Sequence, residues 1–331
     1  MNNSYILGNN LLVKSPLIVD PALLIYLEEA LVLVQQRLQA FASEADFTRN
    51  MAVAFGEEAE VDSLEAAWLA GDLSIFPELE IRNLAELNGA NGAYSADTNR
   101  IYLSWEFLQS NQGNTESLAS LLLEEIGHRV DSLLNTQDSA GDEGEIFSAL
   151  VRGENLSSEQ LQRLRAEDDT ETISLDGQII QIEKNTSTWI NPAGGDWSQP
   201  DNWSLGLPTA SDDVLITQSG NYTVNLNVNA EVNDFTLGWS SGTQTFSIGG
   251  RNLTLNGTGT VNSNGVVNLS GGQITGGGTL TTDGVFNWDG GTQSGSGTTV
   301  ITDTLNITGD SRRDLNTRNL ETNGTTLWTG T

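Results

Sequence analysis

Two carboxylates and an imidazole stand within five positions of this sequence. Residues 124–128 read Glu-Glu-Ile-Gly-His, and His128 is the only histidine of the chain. Residues four apart project from one side of an α-helix, so Glu124 and His128 have the spacing to hold one ion. Glu125 is rotated from them by about 100° and could act as a general base on a water beside that ion. The pattern predicts a metal site; the plain alternative is an ordinary acidic helix.

A third ligand has to come from another segment. Residues 141–151, GDEGEIFSALV, predict a helix that begins at Glu143, and this segment offers Asp142, Glu143 and Glu145. The chain has no cysteine, so any metal must be held by carboxylate, imidazole or water. Such a ligand set suits zinc, with manganese and iron as alternatives, and an oxygen-rich site also admits calcium.

The flanking sequence predicts the elements that position these residues. Asp20 and Pro21 open a long helix through about Phe41, which makes residues 1–42 a leading helical segment. The runs LEIRNLAEL and AYSADTNRIYLS predict a small sheet before the queried helix, which itself should extend from about Thr115, with the Thr115 hydroxyl as cap, to about residue 135. ISLDGQIIQIE predicts a hairpin with its turn at Asp176-Gly177.

Residues 90–151 resemble the core of a zincin metallopeptidase of the gluzincin kind, in which a strand precedes a His-Glu-x-x-His helix and a later helix supplies a glutamate ligand. Carried over by position, the resemblance implies that Glu124, His128 and Glu145 hold the metal, with Asp142 and Glu143 as alternates. It implies Glu125 as the base. The strand that would pair with an extended peptide substrate is formed by Ile101, Tyr102, Leu103 and Ser104.

The sequence departs from the family pattern where Glu124 replaces the first histidine. Two carboxylates and one imidazole cancel the +2 charge of zinc formally, which makes the ion a weaker Lewis acid. Ala149 stands where related sites often carry an acidic residue that orients a ligand, a role that Asp131 or Glu143 could take instead. Whether the chain is an active metallopeptidase therefore stays open. The alternative is a non-catalytic surface or adhesion protein with a degenerate peptidase module.

Composition divides the chain and excludes several functions. The formal charge is −30, which argues against binding nucleic acid or an anionic membrane surface. No transmembrane stretch and no N-terminal signal peptide is expected. Residues 1–184 hold 32 of the 44 acidic residues, whereas residues 185–331 hold 24 of the 35 glycines. We therefore place a domain boundary near residues 183–187.

The second half repeats with a period near twenty. GVVNLSGGQITGGGTLTTD (265–283) is followed by GVFNWDGGTQSGSGTTVITD (284–303), which predicts a β-solenoid whose coils stack along one axis. The expected interior residues are Val267, Leu269, Ile274, Leu280, Phe286, Trp288, Val300, Leu305 and Ile307. We expect residue 331 to be a truncation point, with further C-terminal domains missing.

The stretch at 188–216 resembles the opening of bacterial extracellular β-solenoid regions. Its aromatic residues Trp189, Trp197 and Trp203 cap the first coil or, alternatively, bind carbohydrate. Asp212-Asp213 suggests calcium, although the calcium-loading nonapeptide is not matched. More loosely, the first half resembles N-terminal parts of large cyanobacterial surface or secreted proteins.

These observations predict an α+β zincin-like domain (1–184) followed by an all-β right-handed parallel β-helix (185–331). They predict an extracellular or cell-surface location and a peptide or surface polymer as substrate. A di-iron bundle is excluded because it needs a second Glu-x-x-His pair, and no Gly-x-Ser-x-Gly elbow or Walker loop is present.

Overall fold

The computed structural model describes residues 3–7, 11–57, 60–135, 141–166, 170–183, 186–210, 212–239 and 241–329. The chain forms two compact units, Met1–Asn185 and Thr186–Thr331. The first is a mixed α+β unit, and the second consists of stacked parallel strands.

The first unit contains seven described α-helices. They are α1 Pro21–Ala42, α2 Phe47–Phe55, α3 Asp62–Leu69, α4 Trp105–Ser110, α5 Thr115–Leu134, α6 Glu143–Val151 and α7 Ser158–Leu164. The predicted start of α1 is confirmed, because Asp20 accepts a hydrogen bond from Ala22 N at 2.9 Å and Pro21 occupies the first helical position. The predicted cap of α5 is wrong: Asn114, and not Thr115, accepts from Ser117 N at 3.3 Å.

A five-stranded sheet packs with these helices. Its strands are β1 Asn3–Ile6, β2 Leu12–Ser15, β3 Glu78–Arg82, β4 Gly92–Ser95 and β5 Arg100–Ser104, in the order β1-β2-β3-β5-β4. Strand β5 is parallel to β3 and antiparallel to β4. Strand β4 is therefore the last strand of the sheet, and its own four residues are all buried.

A separate hairpin, β6 Thr170–Leu175 and β7 Gln178–Glu183, closes the first unit. Its turn residues Asp176 and Gly177 have φ of 52° and 78°, the two positive values that a tight two-residue hairpin turn requires. The predicted hairpin and turn are confirmed. The inward residues Ile180 and Ile182 form one apolar cluster with Ala93 of β4 and Tyr102 of β5.

In the second unit the chain passes repeatedly between two sheets whose strand pairings are all parallel. Strands β8 Thr186–Thr188, β10 Asp213–Ile216, β13 Phe235–Leu237, β15 Thr258–Val261, β17 Thr279–Thr282, β20 Thr298–Ile301 and β23 Asn319–Thr322 form one sheet. The other holds β9 Gly195–Asp196, β11 Tyr222–Asn225, β12 Ala230–Val232, β14 Gln244–Leu255, β16 Gly265–Thr275, β18 Val285–Trp288, β19 Gly291–Ser294, β21 Thr304–Ile307, β22 Arg313–Asn316 and β24 Thr325–Trp328.

Side chains stack in columns from one passage to the next. Asn306 Nδ2 donates to Asn287 Oδ1 and Asn287 Nδ2 donates to Asn268 Oδ1, each at 2.8 Å and at a spacing of 19 residues. This arrangement is compatible with the predicted solenoid. All the predicted interior residues are buried except Val300. In β20 the alternation of side chains places Thr299 and Ile301 inside instead.

A buried arginine follows three glycines that stack in one column. Thr258, Thr279, Thr298 and Asn319 pair in register, so the residues before them, Gly257, Gly278, Gly297 and Arg318, are equivalent. A Cβ on Gly297 would lie 2.0 Å from the carbonyl oxygen of Gly278. The Arg318 guanidinium donates to Thr299 Oγ1 at 2.8 Å and to the Gly278 and Thr298 carbonyls at 3.0 Å.

Candidate metal centre

Helix α5 carries Glu124, Glu125 and His128 into the interior of the first unit. Their exposed fractions are 0%, 0% and 1%. The helix is enclosed because its apolar stripe packs inward over most of its length. Leu118, Leu121, Leu122, Ile126 and Val130 are buried, whereas Leu133 near the end is 46% exposed. The three polar residues are therefore part of a buried site and not of a solvated acidic face.

Helix α6 crosses α5 at two glycines. A Cβ on Gly127 would lie 2.7 Å from Gly144 Cα, and a Cβ on Gly144 would lie 2.4 Å from Nε2 of His128. Gly127 is unfavourable in a helix by about 1 kcal/mol relative to alanine. The close approach of the two backbones explains its presence and keeps open the volume beside Nε2.

Three side chains from this crossing form the first group of possible metal ligands. One ligand atom each from Glu124, His128 and Asp142 lies within 4.8 Å of the others, and all three residues are buried. Asp142 precedes α6 and accepts a hydrogen bond from Glu145 N at 2.7 Å through Oδ1. Nε2 of His128 is buried and has no hydrogen-bond partner among the described residues. This group could hold a metal ion.

The other nitrogen of His128 faces two carboxylates. Nδ1 lies 3.0 Å from Glu143 Oε1 and pairs still more closely with Glu183 of β7. In the neutral imidazole, a proton on Nδ1 that these carboxylates accept leaves the lone pair on Nε2. The same three residues form a second group with possible metal ligands within 4.8 Å of one another.

The charges around His128 are strongly coupled. Burial lowers the pKa of His128, but the Glu183 and Glu143 carboxylates outweigh burial and hold that pKa well above its usual value. Burial raises the pKa of Glu183, yet the imidazole outweighs it and the pKa of Glu183 is lowered. Burial keeps the pKa of Glu143 raised despite His128. Glu183 is therefore the carboxylate that pairs with His128 as an ion when the imidazole is protonated.

Glu125 lies where α5 meets the sheet. A Cβ built on Gly92 of β4 would come within 2.7 Å of Glu125 Oε1. The carboxylate therefore contacts the backbone of the last strand of the sheet, one residue along the helix from Glu124.

The assignment of Glu145 as the third ligand does not agree with the structure. Glu145 Oε1 accepts from Arg152 Nη2 at 3.2 Å, and Glu145 belongs to neither group of possible ligands. Burial raises the pKa of Glu145 to about 7 against the opposing effect of Arg152. Asp142, which immediately precedes α6 and caps it, lies with Glu124 and His128 in the first group, and Glu145 does not. The alternates Asp142 and Glu143 each lie in one group.

The assignment of residues 101–104 to substrate pairing is also wrong. Ile101, Tyr102, Leu103 and Ser104 are in β5, which forms ladders with β3 on one side and β4 on the other. Its backbone is therefore engaged on both sides. The strand at the edge of the sheet is β4.

Glu183 was missed by the sequence analysis. The hairpin pattern was recognised, but the contact joins His128 to a residue that is distant in the chain, and a carboxylate at the end of an alternating strand is usually solvated.

Asp131 and Glu143, the two residues expected to orient a ligand in place of the acidic residue missing at Ala149, make different contacts. Glu143 contacts Nδ1, whereas Asp131 Oδ1 accepts from Asn135 Nδ2 at 2.6 Å.

The three tryptophans at the start of the second unit are interior residues. Trp189, Trp197 and Trp203 are at most 2% exposed, and the Trp203 ring lies 5.0 Å and 4.6 Å from the other two centroids. Their ring faces are covered by protein, so the carbohydrate-stacking alternative is wrong and the packing role remains. Asp213 Oδ1 accepts from Asn233 Nδ2 at 2.8 Å. Over the described part of the second unit, no carboxylates form a possible metal group.

Comparison with protein-family models, with curated proteins and with solved structures finds no match for this chain. None of the helices in the described ranges is long and apolar enough to cross a membrane.

Proposed function

We propose that the first unit is a metal-dependent hydrolase of the zincin kind that cleaves peptide bonds. The observation that carries the proposal is the convergence of Glu124, Asp142 and the buried Nε2 of His128. Glu125 follows Glu124 in α5, and its carboxylate lies at the edge strand β4.

Electrostatics supports a cation at this position. Glu124 and Asp142 are buried carboxylates, and one ligand atom of each lies within 4.8 Å of the other and of a nitrogen of His128. A divalent ion bound between them would interact favourably with both carboxylates. Because a metal-bound nitrogen must be free of its proton, the ion would take the place of a proton on Nε2.

Metal binding, proton transfer and orientation of the imidazole fall to different residues. Glu124, Asp142 and His128 would hold the ion, and a bound divalent ion supplies Lewis acidity and acidifies a water. Glu125 takes a proton from the attacking water and returns one to the leaving amine. Glu143 and Glu183 hold the imidazole through Nδ1. Two carboxylates and one neutral imidazole cancel a +2 charge, so we expect slower hydrolysis than with two imidazoles and one carboxylate.

A second candidate is favoured by the complete burial of Glu124 and Glu125. In this alternative the first unit is a degenerate peptidase module of a surface protein. The second unit, as a right-handed parallel β-helix, would then serve adhesion or spacing outside the cell. Its stacked parallel strands and the 19-residue spacing of the asparagine column support a solenoid.

Metal analysis of the full chain tests the proposal. We expect about one zinc, manganese or iron per chain after purification without chelators, measured by inductively coupled plasma mass spectrometry, and loss of the metal in His128→Ala. Metal-dependent cleavage of an unfolded polypeptide would then support the hydrolase. Bound metal without cleavage by any form of the protein would favour the surface module, and no metal would refute the site.

A further inference from the structure

Glu183 is the most exposed member of the two ligand groups, with 16% of its side chain accessible. It is the last residue of β7, so the hairpin of β6 and β7 brings a carboxylate onto His128 from outside the α5–α6 crossing. The remaining members lie on α5 and α6 or at the start of α6.

The same hairpin covers the edge of the sheet. Strand β7 packs against β4 through Ile180 and Ile182, which join Ala93 and Tyr102 in one cluster. Gln181 N also donates to Asp97 Oδ2 at 3.2 Å. Among the described strands, β7 forms a ladder with β6 alone, and β4 forms one with β5 alone. The hairpin therefore lies against β4 through side chains and does not extend the sheet.

The two ends of the hairpin are attached differently. At the turn, Arg82 contacts both carboxylate oxygens of Asp176, at 2.5 Å and 3.2 Å. At the other end, the ion pair of Glu183 with His128 is the contact that reaches the site. Near this end Glu171 of β6 also accepts from Asn88 Nδ2 at 2.6 Å in an exposed hydrogen bond. Opening at the Glu183 end therefore breaks the ion pair and solvent-accessible hydrogen bonds, whereas two contacts with the buried Arg82 hold the turn.

We propose that the β6–β7 hairpin is a lid over the metal centre, and that the ligand which displaces it is an extended peptide with apolar side chains two residues apart. The lid rests on the proposed function of the site, because it is the hydrolase that needs access. The substrate class follows from the positions of Ile180 and Ile182. A peptide strand along β4 would place alternate side chains on the surface that these isoleucines now cover.

The chain supplies matched variants for a test. Ile180→Ser and Ile182→Ser weaken the covered face, and Asp97→Ala removes the hydrogen bond to Gln181 N without removing apolar packing or the contact with His128. Ile179 lies on the same strand but is 77% exposed, so Ile179→Ser is the control. Thermal unfolding identifies any variant that does not fold, and Asp97→Ala keeps the test valid if the serine variants fail.

Two readouts use the full chain loaded with zinc. The first is the rate at which zinc passes to the chromogenic chelator 4-(2-pyridylazo)resorcinol, and the second is cleavage of fluorescein-labelled, unfolded casein. For a lid we expect both rates to increase at least about tenfold in Ile180→Ser and at least about threefold in Asp97→Ala, with Ile179→Ser within about twofold of the parent. Zinc bound with equal release rates in all variants would overturn the lid alone. Absence of zinc from the parent chain would overturn the proposed function and the lid together.

Discussion

A Cβ on Gly144 would lie 2.4 Å from Nε2 of His128. The same Cβ would lie 2.6 Å from Cε1 of the ring and 2.8 Å from the carbonyl oxygen of Glu124. A side chain at position 144 would therefore collide with the edge of the imidazole that carries Nε2 and displace the ring. The glycine is required by the site as well as by the contact between the two helices.

Gly144→Ala should lower metal affinity by at least about tenfold, because the methyl group competes for the volume beside Nε2. Gly153→Ala is the control: it lies just after α6 in open space, although its φ of 78° strains an alanine. Competitive titration with a chromogenic chelator measures both affinities. Unchanged affinity in Gly144→Ala would show that Nε2 does not hold the ion.

Asp142→Asn and Glu145→Gln form a matched pair that identifies the third ligand. Both replace a buried carboxylate near the start of α6, but only Asp142 lies in the group with Glu124 and His128. We expect about a tenfold to hundredfold loss of zinc affinity in Asp142→Asn and less than about threefold in Glu145→Gln. The reverse order of affinities would restore the assignment of Glu145.

Glu125→Gln separates metal binding from catalysis. The amide keeps the shape of the side chain at Gly92 but cannot accept a proton from water. We expect zinc content equal to that of the parent and hydrolysis reduced by at least about a hundredfold. Both quantities come from one preparation, by mass spectrometry and by casein cleavage. Full activity in this variant would exclude Glu125 as the base.

Glu145 should make the stability of the metal-free chain depend on pH. Its pKa is raised from 4.5 to about 7 in the folded protein, so the folded state retains the proton more strongly than the unfolded state. The cost of ionising the buried carboxylate is present above about pH 7 and is relieved as pH falls toward about 4.5.

Relative to Glu145→Gln, the parent should therefore gain up to about 3 kcal/mol between about pH 8 and about pH 5, at about 1.4 kcal/mol per pKa unit. Urea unfolding followed by the circular dichroism of the helices measures this difference, because the described α-helices all lie in the first unit. A constant difference between the two proteins at both pH values would contradict the raised pKa.

Arg318→Ala should destabilise the last strands of the second unit. The guanidinium donates to three carbonyls and a hydroxyl, and removing it leaves buried acceptors unsatisfied at about 2–4 kcal/mol in total. Arg312→Ala is the control, because the Arg312 side chain is 85% exposed, and should change stability by less than about 0.5 kcal/mol. Amide hydrogen exchange across residues 279–322 reports the local change. Equal exchange in both variants would mean that Arg318 is not a structural anchor.

The secondary structure around the site could be predicted because local rules govern it. Helix α6 begins at Glu143 as the sequence indicates, and the Asp176-Gly177 turn follows from backbone conformations that few residues adopt. The third ligand could not be predicted as firmly. The side chains of Asp142 and Glu145 are both carboxylates near the start of α6. Which of them faces His128 depends on how α6 crosses α5.

Contacts between elements that are distant in the chain could not be predicted from local sequence patterns. Strands β4 and β5 have similar local signals, and their positions at the edge and in the interior of the sheet depend on the distant strand β3. Val300 and Thr299 illustrate the same limit in the second unit, since a shift of one residue exchanges the inner and outer faces of a strand. The contact of Glu183 with His128 likewise joins two elements that no local pattern links.

The asparagine column of the second unit has a consequence for how such a chain changes in length over evolution. Asn268, Asn287 and Asn306 repeat the same contact every 19 residues. Each of these passages therefore contacts the next one through an equivalent surface. Other passages of this unit are longer, because Thr258 pairs with Thr279 and Thr298 pairs with Asn319 at a spacing of 21 residues. The strands keep their register across these passages, so the turns between them accommodate a gain or loss of two residues. The length of such a chain can therefore change within a passage as well as by whole passages.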